Sequence, residues 1–220
     1  MDTTFGITAP SGGYQSSFGG QKPGGFQAGF NKGPRTPKPE EIDPTLYLSA
    51  VFLGNKEAPP SVIQTMVEDA KYLESKGITI RVGGDGPIDE AVEKAVSKKE
   101  LILPWKGFNE KDSPYTWAIE RAHHIAKMFH SAYDNLPKGV KSILAGKARL
   151  VMGHKMMSPA TIVLVWTEDG AESFREVTAK TSFAGHPIKI ACAAGIRVIN
   201  YGKPDASSRV RHFVETISTR

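Results

Sequence analysis

The stretch from Ile78 to Ala91 constrains this chain more than any other. A β-branched run, Ile78-Thr79-Ile80-Arg81-Val82, feeds the turn Gly83-Gly84-Asp85-Gly86, and Pro87-Ile88 then opens a helix. In a strand–glycine turn–helix unit, main-chain N–H groups and a helix N-terminus converge on one point. That point is suited to an anion, most often a phosphate. The expected ligand is therefore a nucleotide or a nucleic-acid phosphate.

The same grammar repeats along the chain. Continuously apolar runs at 46–53, 78–82, 101–104, 161–166 and 196–201 read as buried strands. Between them lie segments with helical periodicity. Pro59-Pro60-Ser61 opens one whose apolar face is Val62, Ile63, Met66, Val67, Ala70 and Leu73, with Gly77 as its left-handed cap. Others are read from the glycine turn through Val96, over 115–129, over 140–152 ending near Gly153, and over 186–194 closed by Gly195. A short helix is read within 205–217. Apolar strands alternating with helices predict an α/β, Rossmann-like, doubly wound and mainly parallel sheet with helices on both faces. Ligands of such sheets sit beyond the carboxyl ends of the strands, where strand order reverses. Gly54-Asn55-Lys56, Gly83 to Gly86 and Thr167-Glu168-Asp169 all fall at those ends.

Residues 1–43 read differently. Paired glycines, spaced Phe5, Phe18, Phe26 and Phe30, and the run Pro34-Arg35-Thr36-Pro37-Lys38-Pro39 carry no period. Such a segment buries too little apolar surface to offset its ordering entropy. It is read as a flexible arm ahead of a folded domain at 44–220, either a plain tail or an aromatic-studded arm that docks on a protein partner or extends a nucleic-acid contact.

The chain of 220 residues carries a net charge of +5. Mild basicity suits a nucleic-acid partner without requiring one. A single cysteine, Cys192 in an apolar run, excludes an intramolecular disulfide and a cysteine-based zinc cluster, and fits a reducing, cytoplasmic compartment. No apolar run approaches the roughly 18 residues of a membrane span. His123, His124 and His130 lack the spacing of a metal site, so neither a metal nor a cofactor is expected. There is no Walker lysine after the glycines and no G-x-S-x-G elbow.

Further motifs bring in a resemblance. Gly54-Asn55-Lys56-Glu57-Ala58-Pro59-Pro60 resembles a Gly-Ser-Arg-Glu-Thr-Pro-Pro element. Arg81 to Asp89 resembles Arg-Ser-Gly-Gly-Ala-x-Gly-Ala-Asp, and Leu103-Pro104-Trp105-Lys106-Gly107-Phe108-Asn109 matches Leu-Pro-Trp-x-x-Phe-Asn. The stretch from Ser158 to Gly170 fits as well. Over about residues 46–203 the chain resembles bacteriophage proteins related to DNA-processing protein A. These belong to the Rossmann-like (SLOG) superfamily that includes the cytokinin-activating lonely-guy enzymes. The resemblance implies a homo-oligomeric protein that binds a nucleotide or single-stranded DNA and acts in DNA metabolism or recombination inside the host cell. Its alternatives are a nucleoside-monophosphate N-glycosidic hydrolase, with Asp89 or Glu90 as carboxylate, or a virion assembly protein.

The implied binding residues are Gly54, Asn55, Lys56, Gly83, Gly84, Asp85, Gly86, Asp89, Thr167, Gly185 and His186, while Trp105 and Phe108 are read first as a hydrophobic lid on the core and, as the alternative, as base-stacking rings. Asp85 is read as a helix cap. Asp89 is read as either a cap or a ribose ligand, and Lys56 or Arg81 as the cation beside the turn. Several family residues differ. Asn55-Lys56 replaces Ser-Arg and loses the planar guanidinium fork. Ser182-Phe183-Ala184-Gly185-His186 replaces Gly-Gly-Thr-Gly-Gln, Ala145-Gly146-Lys147 replaces Ala-Arg-Asn, and the lonely-guy Pro-Gly-Gly-x-Gly-Thr-x-x-Glu motif is absent. These losses weigh against hydrolysis more than against binding.

Overall fold

A computed structural model describes residues 48–116 and 119–218. The expectations for the arm at 1–43 lie outside these residues.

Five strands form one parallel sheet in the order β3-β2-β1-β4-β5. They are β1 (Ser49–Gly54), β2 (Thr79–Val82), β3 (Lys99–Leu101), β4 (Ile162–Trp166) and β5 (Arg197–Asn200). The helices are α1 (Pro60–Ser75), α2 (Pro87–Ala95), α3 (Glu120–Met128), α4 (Lys138–Met152), α5 (Gly185–Ala193) and α6 (Ala206–Ser218). The chain winds outward from β1 through β2 to β3, then crosses to β4 and continues to β5. Strand–helix–strand crossovers are right-handed, so winding in opposite directions puts helices on opposite faces.

The alternating side chains of each strand supply both cores. On one face Ala50, Phe52, Ile80, Val82, Ile162 and Leu164 pack with Met66, Leu73, Ile88, Val92, Val210 and Val214. On the other, Val51, Leu53, Val163 and Val165 pack with Ala145, Ala148, Leu150, Ile188 and Ala191. Burial on both faces is why β4 reads Ile-Val-Leu-Val-Trp without polar alternation.

Two elements differ from the sequence expectation. The third strand lies at Lys99–Leu101, earlier than the apolar run 101–104, because its ladder with β2 pairs Ile80 with Lys99 and Val82 with Leu101. An edge strand needs no apolar residue on its open side. Ile102 and Leu103 are apolar because they are buried beyond the ladder. The third helix starts at Glu120 rather than Tyr115. Tyr115 forms a bridge with Ile102 and its carbonyl accepts a hydrogen bond from Arg149, which hold it out of the helix. No helix among the described residues is long and apolar enough to cross a membrane.

Candidate functional site

The glycine turn does follow β2 and open α2, and Gly84 is left-handed with φ +69°. The acceptor it holds, however, is internal. Asp89, the third residue of α2, turns back so that Oδ1 accepts a hydrogen bond from the Gly83 N–H at 2.5 Å. Asp89 is fully buried, and its Oδ2 has no hydrogen-bond partner. A Cβ on Gly83 would sit 3.0 Å from Leu150 Cδ1 and 3.2 Å from Asp89 Oδ1, so the turn closes tightly over this carboxylate. The void beside the turn, lined by Gly83, Asp85 and Lys147 among others, is about 10 Å³. That is room for about one water.

Asp85 is not the cap that the sequence suggested: no side chain caps α2. Its Oδ1 instead lies 2.6 Å from Nζ of Lys147, which α4 carries into the interior at 6 % exposure. Burial pushes Asp89 up to about 7. Lys147 opposes that rise and the Asp85 charge adds to it. Burial also disfavours the Lys147 charge, but Asp85 and Asp89 outweigh it and hold the ammonium above its ordinary pKa. Arg81 does not serve the turn. It is buried, with Nε 2.7 Å from Glu100 Oε2 and one terminal nitrogen donating to the Ser158 carbonyl. The sequence reading missed Lys147 as a partner of the turn. Its signal was a lysine inside the apolar run Ile143 to Val151.

Strand order reverses between β1 and β4, so the crevice of this fold opens beyond Gly54 and Trp166. The Asn55 N–H donates to the Trp166 carbonyl at 3.2 Å, and its side-chain amide donates to the Lys180 carbonyl at 3.4 Å. Lys56 is exposed on the rim. Thr167 is fully buried: its N–H donates to Asn200 Oδ1, and its hydroxyl accepts from Asn200 Nδ2 at 2.7 Å. It therefore fixes the loop and does not face the crevice. Next to it, Asp169 accepts from the hydroxyls of Thr178 and Thr181 at 2.6 Å each. Burial raises the Asp169 pKa, but these hydroxyls and that of Thr167 outweigh it and hold the group at about 2.

The Thr-anchored segment 179–184 leads into α5. Ser182 has φ 51° and ψ −141°, an unusual backbone for a residue with a side chain, and it leaves Phe183 at 61 % exposure. A Cβ on Gly185 would lie 2.7 Å from Val177 Cγ1, so this glycine permits close packing. His186 is buried and neither ring nitrogen reaches a hydrogen-bond partner. Burial, helped by nearby His130, Lys189 and Lys147, lowers it to about 4 and keeps it neutral. A buried ring is not positioned as a donor on the open edge.

Beyond β3, Trp105 is 40 % exposed and meets Phe108 edge-on, with ring centroids 4.8 Å apart. Phe108 is 8 % exposed, so Trp105 carries the accessible ring of the pair. Asn109 ties this loop to the turn by donating to the Gly84 carbonyl at 3.0 Å. Neither carboxylate expected of a hydrolase faces the crevice: Asp89 is buried, and Glu90 pairs on the surface with Lys94 at 2.6 Å.

No family model and no curated protein matches the chain. Among solved structures it is similar to DNA processing protein A from Helicobacter pylori, a structure concerned with that protein's single-stranded DNA binding mode. The two share 13 % sequence identity and a TM-score of 0.44, over 79 % of this chain and 81 % of that one.

Proposed function

We propose that the carboxyl edge of the sheet binds the backbone of single-stranded nucleic acid, with single-stranded DNA the expected form. The observation that carries this reading is a glycine turn sealed by its own buried carboxyl group beneath an open rim of cations and aromatic rings. A void of about 10 Å³ has no room for a mononucleotide. The rim offers exposed Lys56, Lys106 and Lys180 together with the exposed rings of Trp105 and Phe183. Lys180 is held only loosely, 3.7 Å from Glu168 on the surface. From the end of β3 to the end of β4 is three strand spacings, about 14 Å, a distance that suits a run of phosphates. Lysines tracking a backbone and rings stacking on bases are the usual means of binding a single strand without reading its sequence. Gly54, Asn55 and the turn Gly83 to Gly86 shape the floor of this edge, and Asp85 and Asp89 act from beneath it.

The test is fluorescence anisotropy with a labelled oligonucleotide. Three lysine–phosphate contacts give a salt slope of about −2, so affinity falls about twentyfold between about 50 and 200 mM salt. Lys56→Ala reduces that slope by about 0.7, whereas Trp105→Ala and Phe183→Ala each cost about 1–3 kcal/mol with the slope unchanged. An oligonucleotide that fails to bind at low salt, or a mononucleotide that binds as tightly as the oligonucleotide, refutes the reading.

A further inference from the structure

A second concavity lies away from the crevice, between Pro114, Tyr115 and Ile119 on one side and the loop leaving α4 on the other. It has a volume of about 260 Å³ and is lined by Pro114, Tyr115, Ile119, Arg149, His154 and Lys155. Its chemistry turns on Arg149, which is 3 % exposed. The guanidinium donates to the carbonyls of Leu103 (3.3 Å), Tyr115 (3.0 Å) and His154 (3.3 Å). These partners satisfy three of its five N–H groups. All three are neutral, so the buried positive charge has hydrogen bonds but no counter-charge from them.

The other lining residues add to this imbalance. Lys155 is exposed at the mouth of the cavity. The His154 ring packs against Tyr115, tilted by 42° with centroids 4.7 Å apart, and its buried Nδ1 makes no hydrogen bond. Glu100 Oε1 is 4.0 Å from that nitrogen, but Glu100 is engaged by Arg81 at 2.7 Å and does not line the cavity. Among the described residues, two permanent cations and no carboxylate line this space, and its other walls include His154, Pro114, Ile119 and the Tyr115 ring.

We infer that this cavity binds a small organic anion, with its phosphate or carboxylate group between Arg149 and Lys155 and its carbon body against Tyr115 and Ile119. The volume is below the roughly 300–1,000 Å³ of pockets that enclose drug-sized ligands, so the ligand is a metabolite of a few carbons. The anion supplies the charge that Arg149 lacks and uses its two remaining N–H groups.

The full-length protein is titrated calorimetrically, and by NMR at the His154 and Tyr115 resonances, with glycerol 3-phosphate, succinate and inorganic phosphate. The phosphate ester and the dicarboxylate distinguish the two head groups. One of the two organic anions is expected to bind with one-to-one stoichiometry and a Kd at or below about 1 mM. Lys155→Glu, a change at an exposed side chain, weakens binding about tenfold or more, and Arg149→Lys weakens it about tenfold through loss of the planar fork. Lys94→Ala, on the surface of α2, leaves it unchanged. No shift with either organic anion at about 10 mM overturns the assignment. So does binding that Lys155→Glu does not alter, or inorganic phosphate binding as tightly as the organic anions.

Discussion

Replacing Asp89 by Asn should change the pH dependence of stability in a defined direction. The native carboxyl titrates at about 7, against 3.8 for an unperturbed group. Between these values the folded protein holds a proton that the unfolded chain has released. Stability from this group is thus complete below about pH 4 and is lost as pH rises towards 7. The slope is about 1.4 kcal/mol per pH unit. Over the interval of about three units the loss is on the order of 4 kcal/mol.

Asn has the shape of the protonated acid and cannot ionise. Its Oδ1 can accept the Gly83 N–H, and its amide takes the place of the unpartnered Oδ2. Asp89→Asn should therefore match the wild type near pH 4, gain on it steadily to pH 7, and hold a constant advantage above. Urea unfolding at half-unit steps from pH 4.5 to 8.5 gives the difference curve directly, with the contributions of titrating groups that do not interact with Asp89 cancelling. In a Lys147→Met background the counter-charge is gone, so the plateau moves to higher pH. A difference that is flat with pH, or one in which Asn loses ground as pH rises, refutes the account of the turn as closed on a neutral carboxyl.

Two further outcomes concern how the loops are held. Asn200→Ala should cost about 3 kcal/mol in urea unfolding, because it strands the buried Thr167 N–H and Ala171 carbonyl and removes the acceptor of the part-buried Gly202 N–H. Tyr201→Phe should cost only about 1.5 kcal/mol, measured in the same way, since buried Asp69 loses one donor at 2.8 Å but keeps Ser207 and Arg211.

Much of the architecture was legible in local sequence. Residues buried on both faces of a parallel sheet must be apolar throughout, so β1 and β4 read as unbroken runs, and Gly77 and Gly195 marked helix ends where φ is +82° and +69°. The edge strand β3 was misplaced because two of its three residues face no core: Lys99 is exposed, and Glu100 serves Arg81. The start of α3 was misread because Tyr115 is held by Ile102 and Arg149, both distant in sequence.

The site divides along the same line. By itself the sequence determined that a strand, a glycine turn and a helix follow one another at 78–91, and that Gly54 to Lys56 and Thr167 to Asp169 end strands beside it, because these are properties of adjacent residues and their period. Only the tertiary structure decided what the turn holds. Lys147 lies 62 residues from Asp85 in the chain, and α4 brings them to 2.6 Å. Whether Asp89 faces solvent or the turn depends on how α2 packs against α1 and the sheet, which no local pattern encodes. The stretch that read as an open anion cradle holds instead an internal carboxyl group, and the surface available to a ligand moves outward to the rim. Burial and charge pairing are sums over groups brought together by the fold, and for that reason they became visible only in three dimensions.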